Sequence, residues 1–504
     1  AGTSTLAGVG PRDLNNAIHL GAALALPVAD SLALRGDIDG SGSLEKTGSG
    51  TLLLSGNNAF GGGTVLKAGG LILGANGALG SGTLKVSAGT SLDTTGNFSA
   101  GNAITLDGNL DLIGSNGLVL GGNISGIGGL NKAGATTLTL SGNNSYFGAT
   151  NLNAGTLVLG SDTALGLGLL NAAAGTTLDT SAAVAVNNQV TLAGNVNILG
   201  SSNLGLNGVV SGAGGLSKTG LATLRLGGAN TYQGGTTLSA GGLVVGNALA
   251  LSSGALNVNG ASSLDSSTAL SIANQINLND TLTVAGSNNL GLSGAIGGTG
   301  GLIKNGAADL TLSALNTYAG NTRLNAGRLV LGNAGALGSG ALIAAAGTTL
   351  DASTALALTN ALTLNGTLSI GGTFDLALQG AVTGTGGLIK NGNANLTLSG
   401  ASNYAGGTIL SAGTLTVGNN AALGSGDLSV AGAANLASSG AQILAQCGPP
   451  ECRPDPQRQR QPDPQRCCRR QRQTDQDRQR QPDPQRRQQL RRRHRTRQRQ
   501  PGPR

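Results

Sequence analysis

The chain has 504 residues, of which 10% are charged, 2% are aromatic and none is Trp or Met. So few rings argue against a large conventional core, and the 89 glycines, which do not fall at every third position, exclude a collagen helix. The net charge of +8 is unevenly held: residues 447–504 carry 18 Arg against 6 acids, whereas residues 1–446 carry 12 Lys or Arg against 16 acids. All four cysteines (Cys447, Cys452, Cys467 and Cys468) also lie in that basic tail, so two different polymers meet near residue 446. No apolar run reaches the length of about 18 residues that a membrane-spanning helix needs, and the aromatic girdles of a membrane barrel are missing. Without a Met, Ala1 is not a translation start, and the chain reads as a fragment or a processed product.

In chain order, the first apolar stretch, residues 17–29, has the look of a signal-peptide core. Asn16-Ala17-Ile18-His19-Leu20, however, falls on Asn102-Ala103-Ile104-Thr105-Leu106 one period later, so the stretch belongs to a repeat and a signal peptide is expected upstream. The period is 86 residues. It carries Lys46 onto Lys132, Lys218, Lys304 and Lys390, and Phe60 onto Tyr146, Tyr232, Tyr318 and Tyr404. Asp93, Asp179, Asp265 and Asp351 keep the same spacing, and no insertion breaks the register before it dissolves between residues 440 and 446.

Within each copy, apolar residues alternate with Thr, Ser or Asn over three to five positions and stop at Gly or Asn, as in Leu396-Thr397-Leu398-Ser399-Gly400. That is the period of a half-buried strand closed by a tight turn, and no window offers a capped helix. Propeller blades need longer strands, and a sandwich gives no reason for so strict a period. A right-handed parallel β-helix does, because its coils stack like residues in ladders. At roughly 20–22 residues per coil, one copy makes about four coils. The fold class expected is therefore all-β, a right-handed parallel β-helix (solenoid) over residues 1–446, followed by a disordered Arg/Pro/Gln-rich tail over 447–504.

The run Gly387-Leu388-Ile389-Lys390-Asn391-Gly392, with Leu396-Thr397-Leu398-Ser399-Gly400, Asn403-Tyr404-Ala405-Gly406, Leu410-Ser411-Ala412-Gly413 and Leu415-Thr416-Val417-Gly418, resembles the autotransporter-associated β-strand repeat. That repeat occurs in passenger domains of type V secreted proteins of Gram-negative bacteria, and the resemblance covers about residues 1–445. It implies a β-helical passenger carried to the bacterial cell surface through a C-terminal barrel in the outer membrane. It also implies partners on a host surface or on other bacterial cells. This chain shows neither signal peptide nor barrel. The lack of Cys over residues 1–446 suits a chain that crosses an oxidising periplasm unfolded.

Chemistry is sparse. There is no G-x-S-x-G and no Gly-Lys pair, so neither a nucleophile elbow nor a P-loop is present. His19 and His494 lie in different regions, which leaves no His-based metal site and few triads; His19 is expected on an exposed strand position. Asp93, Asp179, Asp265 and Asp351 would sit roughly 20 Å apart even in one row, too far to act on one glycosidic bond. Asp37, Asp39 and Glu45 occur together in one copy only and read as a turn or a solvated edge. The recurrent Lys reads as a turn or edge charge that discourages sheet-to-sheet pairing. The Phe60/Tyr series reads as a cap on the interior, with a carbohydrate-stacking surface as the alternative. Lys46, Lys132, Lys218, Lys304, Lys390, Phe60, the four tyrosines and the four aspartates are thus assigned structural roles. No catalytic, metal or cofactor residue is expected, and the chain is read as no enzyme.

The tail admits two readings. Its arginines suit binding of nucleic acid or an anionic surface, a role not expected of the repeat region. Alternatively, with suitable codons, residues 361–366 (ALTLNG) read one frame over as Pro-Asp-Pro-Gln-Arg, which stands at 454–458, 462–466 and 482–486. A frameshifted product would lack the barrel and stay inside the cell or periplasm. The function expected of the intact protein is a structural or adhesive rod. A β-helical polysaccharide-processing enzyme is the alternative.

Overall fold

The computed structural model describes residues 4–7 and 10–441, within the unit Ala1–Gln442. The expectations for residues 447–504, of disorder, a frame change and binding to nucleic acid or an anionic surface, fall outside the described residues. Those described form 56 short parallel strands and no helix, wound as a parallel β-solenoid of about 22 turns. At about 4.8 Å between strands the stack is about 105 Å long.

The strands line three walls. On the first, Leu24–Leu26 pairs with Leu44–Lys46, then Thr64–Leu66, Leu84–Val86 and Ile104–Leu106. On the second, Ser31–Leu34 leads to Thr51–Leu54, Gly69–Leu73, Thr90–Thr94 and Leu110–Leu112. On the third, Phe98–Ala100 leads to Leu118–Leu120, Thr137–Leu140 and Thr156–Leu159. Partners such as Leu24 and Leu44 are 20 residues apart. Alternation then fills the interior with rows such as Leu52, Leu71, Leu92 and Leu112, all buried.

One copy makes about four coils, as expected, but repeat and coil do not match, so repeat-equivalent residues do not fall in one ladder. Eighty-six residues are four 20-residue coils plus one wall. Lys46 therefore stands on the first wall, Lys132 on the second, Lys218 on the third and Lys304 on the first again. Equivalent residues climb the solenoid as a spiral. The ladders are formed instead by non-equivalent residues 20 positions apart.

Each copy also breaks one wall. After Ile124–Gly126 the first wall holds no strand at Asn144 or Ala164, and resumes at Val184–Val186. The break moves to the second wall around Asn230 and Ala250, and to the third around Asn316 and Ala336. Strands leave the wall at glycines that no other residue can replace. Gly126 has φ +109°, and a Cβ there would lie 2.2 Å from the Leu106 carbonyl oxygen of the preceding coil.

Candidate functional site

The recurrent side chains converge on the corners and on these breaks. Lys46, Lys132, Lys218, Lys304 and Lys390 are all buried, which overturns their reading as turn or edge charges. Each ends a Leu-x-Lys strand, so it shares the inward parity of Leu two residues earlier; the stem packs in the core and the ammonium reaches the corner. There Lys304 Nζ donates to the carbonyls of Asn305 (2.8 Å), Gly306 (2.7 Å) and Ala326 (3.2 Å). Lys390 repeats this with Asn391, Gly392 and Ala412. An ammonium has three donors, so three carbonyls saturate it. Desolvation lowers the pKa of all five lysines, and nearby Asp309 and Asp375 partly oppose this at Lys304 and Lys390. The group caps orphan carbonyls from inside the fold.

The aspartates are staples between coils. Asp93 accepts the Ser115 amide at 3.0 Å and the Ser115 hydroxyl at 2.6 Å. Asp179 takes the same pair from Ser201, Asp265 from Ser287 and Asp351 from Thr373. In the fourth case Arg328 Nη2 also lies 3.3 Å from the carboxylate.

The breaks are held by three residue types. Asn144 Oδ1 accepts the Ile124 amide of the coil before at 2.8 Å, and its Nδ2 donates to the Ala164 carbonyl of the coil after at 2.7 Å. Asn58, Asn230 and Asn316 bracket three coils in the same way. Beside them Tyr146, Tyr232, Tyr318 and Tyr404 are wholly buried, with each hydroxyl 2.5–2.6 Å from the Oγ1 of Thr150, Thr236, Thr322 or Thr408. Burial pushes each phenol up to about 12, against a smaller opposing effect of the Thr bond. Phe60 is buried in the same way but has no hydroxyl, and Thr64 Oγ1 is left without a partner. Packing holds for the whole series, and no ring of it is free to stack on a sugar. Sequence reasoning missed the asparagines and threonines, although Asn58, Asn144, Asn230 and Asn316 keep the same 86-residue spacing.

The remaining candidates scatter. Exposed His19 lies 2.6 Å from Asp39, Asp37 accepts the Asn57 amide, and Glu45 pairs with Lys67 at 2.6 Å. They face three separate partners. Among the described residues no three His, Cys, Asp or Glu side chains cluster closely enough to hold a metal ion. An open groove of about 580 Å³ runs past Asn97, Phe98, Val119 and Thr139, and its lining contains no titratable side chain. A recess of about 220 Å³ in the first coils holds Arg12 and Asp30. Asp30 there accepts the Gly10 amide at 3.2 Å.

The passenger-associated-transport-repeat family matches residues 44–73, 130–159, 216–245, 302–331 and 388–417. Each match starts at the Lys-ended strand and runs past the first coil of the break with its Asn (Ser402 in the fifth), aromatic and Thr. No curated protein and no solved structure matches the chain. Five passenger-associated-transport repeats, wound on a β-solenoid, fit an autotransporter passenger domain.

Proposed function

We propose that the chain is the structural or adhesive rod of an autotransporter, secreted or displayed on the bacterial surface, and that it engages host or bacterial cells. The observation that carries this reading is the commitment of the recurrent polar groups to the scaffold. The five lysines, four aspartates, four asparagines and four tyrosines that recur hold coils together, so the chemistry that repeats is the chemistry of a long stiff object. The repeat family points the same way, towards a secreted or cell-surface protein. Contacts repeated along such a rod add by avidity. Against the polysaccharide-processing alternative stands the stapling of each recurrent carboxylate to a Ser or Thr of the next coil. The test is adhesion of cells displaying the full protein, against variants lacking one 86-residue copy other than residues 123–208. Stepwise weakening is expected. Complete loss on removing any single copy, or no adhesion by the intact protein, overturns the reading.

A further inference from the structure

One corner of the second copy carries large outward apolar side chains that the same corner of its sisters lacks. Ile127, Phe147 and Leu167 stand 20 residues apart, and the amides of Phe147 and Leu167 bond the Gly126 and Tyr146 carbonyls. The three therefore stack on one corner of three successive coils, about 4.8 Å apart. They are 74%, 66% and 64% exposed. The same row reads Ser41-Gly61-Ser81 in the first copy and Ala213-Gln233-Ser253 in the third. It reads Thr299-Ala319-Ser339 in the fourth and Thr385-Ala405-Ser425 in the fifth. Leu169, also exposed, replaces Thr83, Ala255, Ala341 and Asp427. Four copies form the same corner without large apolar side chains there, so the scaffold does not require them.

Four residues further along the same coils, about 13 Å at full extension, runs a row of amides. Asn131 donates to Asp111, Asn151 to Asn131 and Asn171 to Asn151, each at 2.7 Å. All three are half-buried, and the ladder fixes their orientation while each amide keeps a second N–H. Over residues 123–173 the charged side chains are Lys132, buried in its corner, and Asp162, bonded to the Ala185 amide. Charge appears only at one end of the strip, at Asp111 and at Asp107, which faces Lys85 at 3.4 Å.

We propose that the Ile127-Phe147-Leu167 row and the Asn131-Asn151-Asn171 ladder form one binding strip for an extended neutral glycan. The near-absence of charge fits an uncharged partner. Three or four side chains offer a few hundred Å², well below the roughly 800 Å² per partner of a stable protein interface, so a second copy of the chain is not the occupant. A row of ordered amides is of no use to a lipid tail, whereas a sugar polymer has hydroxyls to meet it and apolar C–H faces to rest on Phe147. Both rows run along the solenoid axis, which suits a chain lying lengthwise. The proposal rests on the adhesive reading and names its ligand class.

The test applies the full chain to a printed array of neutral and anionic oligosaccharides and, separately, to phosphatidylcholine vesicles. Retention on neutral linear glycans is expected. For the best-retained oligosaccharide in solution, Phe147→Gln is expected to weaken calorimetric affinity about tenfold, and addition of Ile127→Ala and Leu167→Ser further. These three residues are the third copy's own, so the fold is kept, and unchanged circular dichroism checks it. Asn151→Thr, again the third copy's residue, is expected to cost severalfold without touching the apolar row. Leu221→Ala, which removes an exposed leucine elsewhere, leaves affinity unchanged. Retention only on anionic glycans, retention only on vesicles, or affinity indifferent to the triple variant overturns the proposal. So does self-association that the triple variant abolishes without any glycan retention. Glycan retention without cell adhesion would sink the adhesive reading and leave the strip standing, whereas adhesion untouched by the triple variant does the reverse.

Discussion

All four tyrosines of the chain are buried at breaks in a wall, which gives the fold a titratable signature. A phenol pushed from 10 to about 12 on folding stays protonated where the unfolded chain has already lost its proton. Its contribution is whole below pH 10 and is lost as pH rises through 12, at about 3 kcal/mol per tyrosine. The lysines act in the opposite sense. Their values are lowered from 10.5, so stability from this source rises with pH across the interval beneath 10.5. Tyrosinate absorbance is expected to rise with a midpoint near pH 12 or together with unfolding, and a midpoint near 10 in the folded protein would contradict the burial. Phe60 supplies the matching substitution. Phe60→Tyr gives Thr64 Oγ1 its missing partner and is expected to stabilise its coils by about 1 kcal/mol, and Tyr232→Phe to cost about as much at Thr236. Hydrogen exchange of the flanking coils measures both, since a long solenoid does not unfold in one step.

A wall break is an element with its own support. Asn230 satisfies the Val210 amide and the Ala250 carbonyl across three coils, so Asn230→Ala strands two buried backbone groups and is expected to cost about 2–4 kcal/mol locally. The fifth copy shows a milder version. Ser402 accepts the Val382 amide at 3.1 Å but turns its proton to Gly400, leaving the next coil unbracketed. Asn316→Ser is therefore expected to cost about half as much as Asn230→Ala, and Ser402→Asn to gain stability; equal protection in all three would refute the bracket. The strands themselves were legible from Leu-Thr-Leu alternation and Gly-closed turns, and so was the inward Tyr. The lysines were legible too, because Leu388-Ile389-Lys390 puts Lys on the side of Leu. Reading charge as exposure overrode that parity, although a corner full of carbonyls can hold an ammonium inside. The breaks were not legible, since Asn beside Gly signals a turn and only the next coil shows what its amide reaches. The exposed row of Ile127, Phe147 and Leu167 was equally hidden, because its members are neighbours only at the 20-residue coil, not at the 86-residue repeat.

For the whole solenoid, length and facing are set by the mismatch between these two periods. Deleting one 86-residue copy removes four coils and one wall, and is expected to keep the β signal while shortening the stack by about 21 Å in small-angle scattering. Deleting 43 residues, such as 131–173, removes two coils and only half a wall, so the strands beyond it meet corners and inward rows lose their facing. It is expected to expose apolar surface to a hydrophobic dye and to aggregate. Equal behaviour of the two deletions would deny the register. The wall-by-wall advance also has a bearing on heredity. Unequal exchange between copies in the gene adds or removes whole 86-residue units, and each event turns everything beyond it by a third of a revolution. Three events restore the original heading with a stack longer or shorter by thirteen coils. Reach and compass bearing are inherited together, and a lineage that changes copy number by one changes the direction in which every later surface looks.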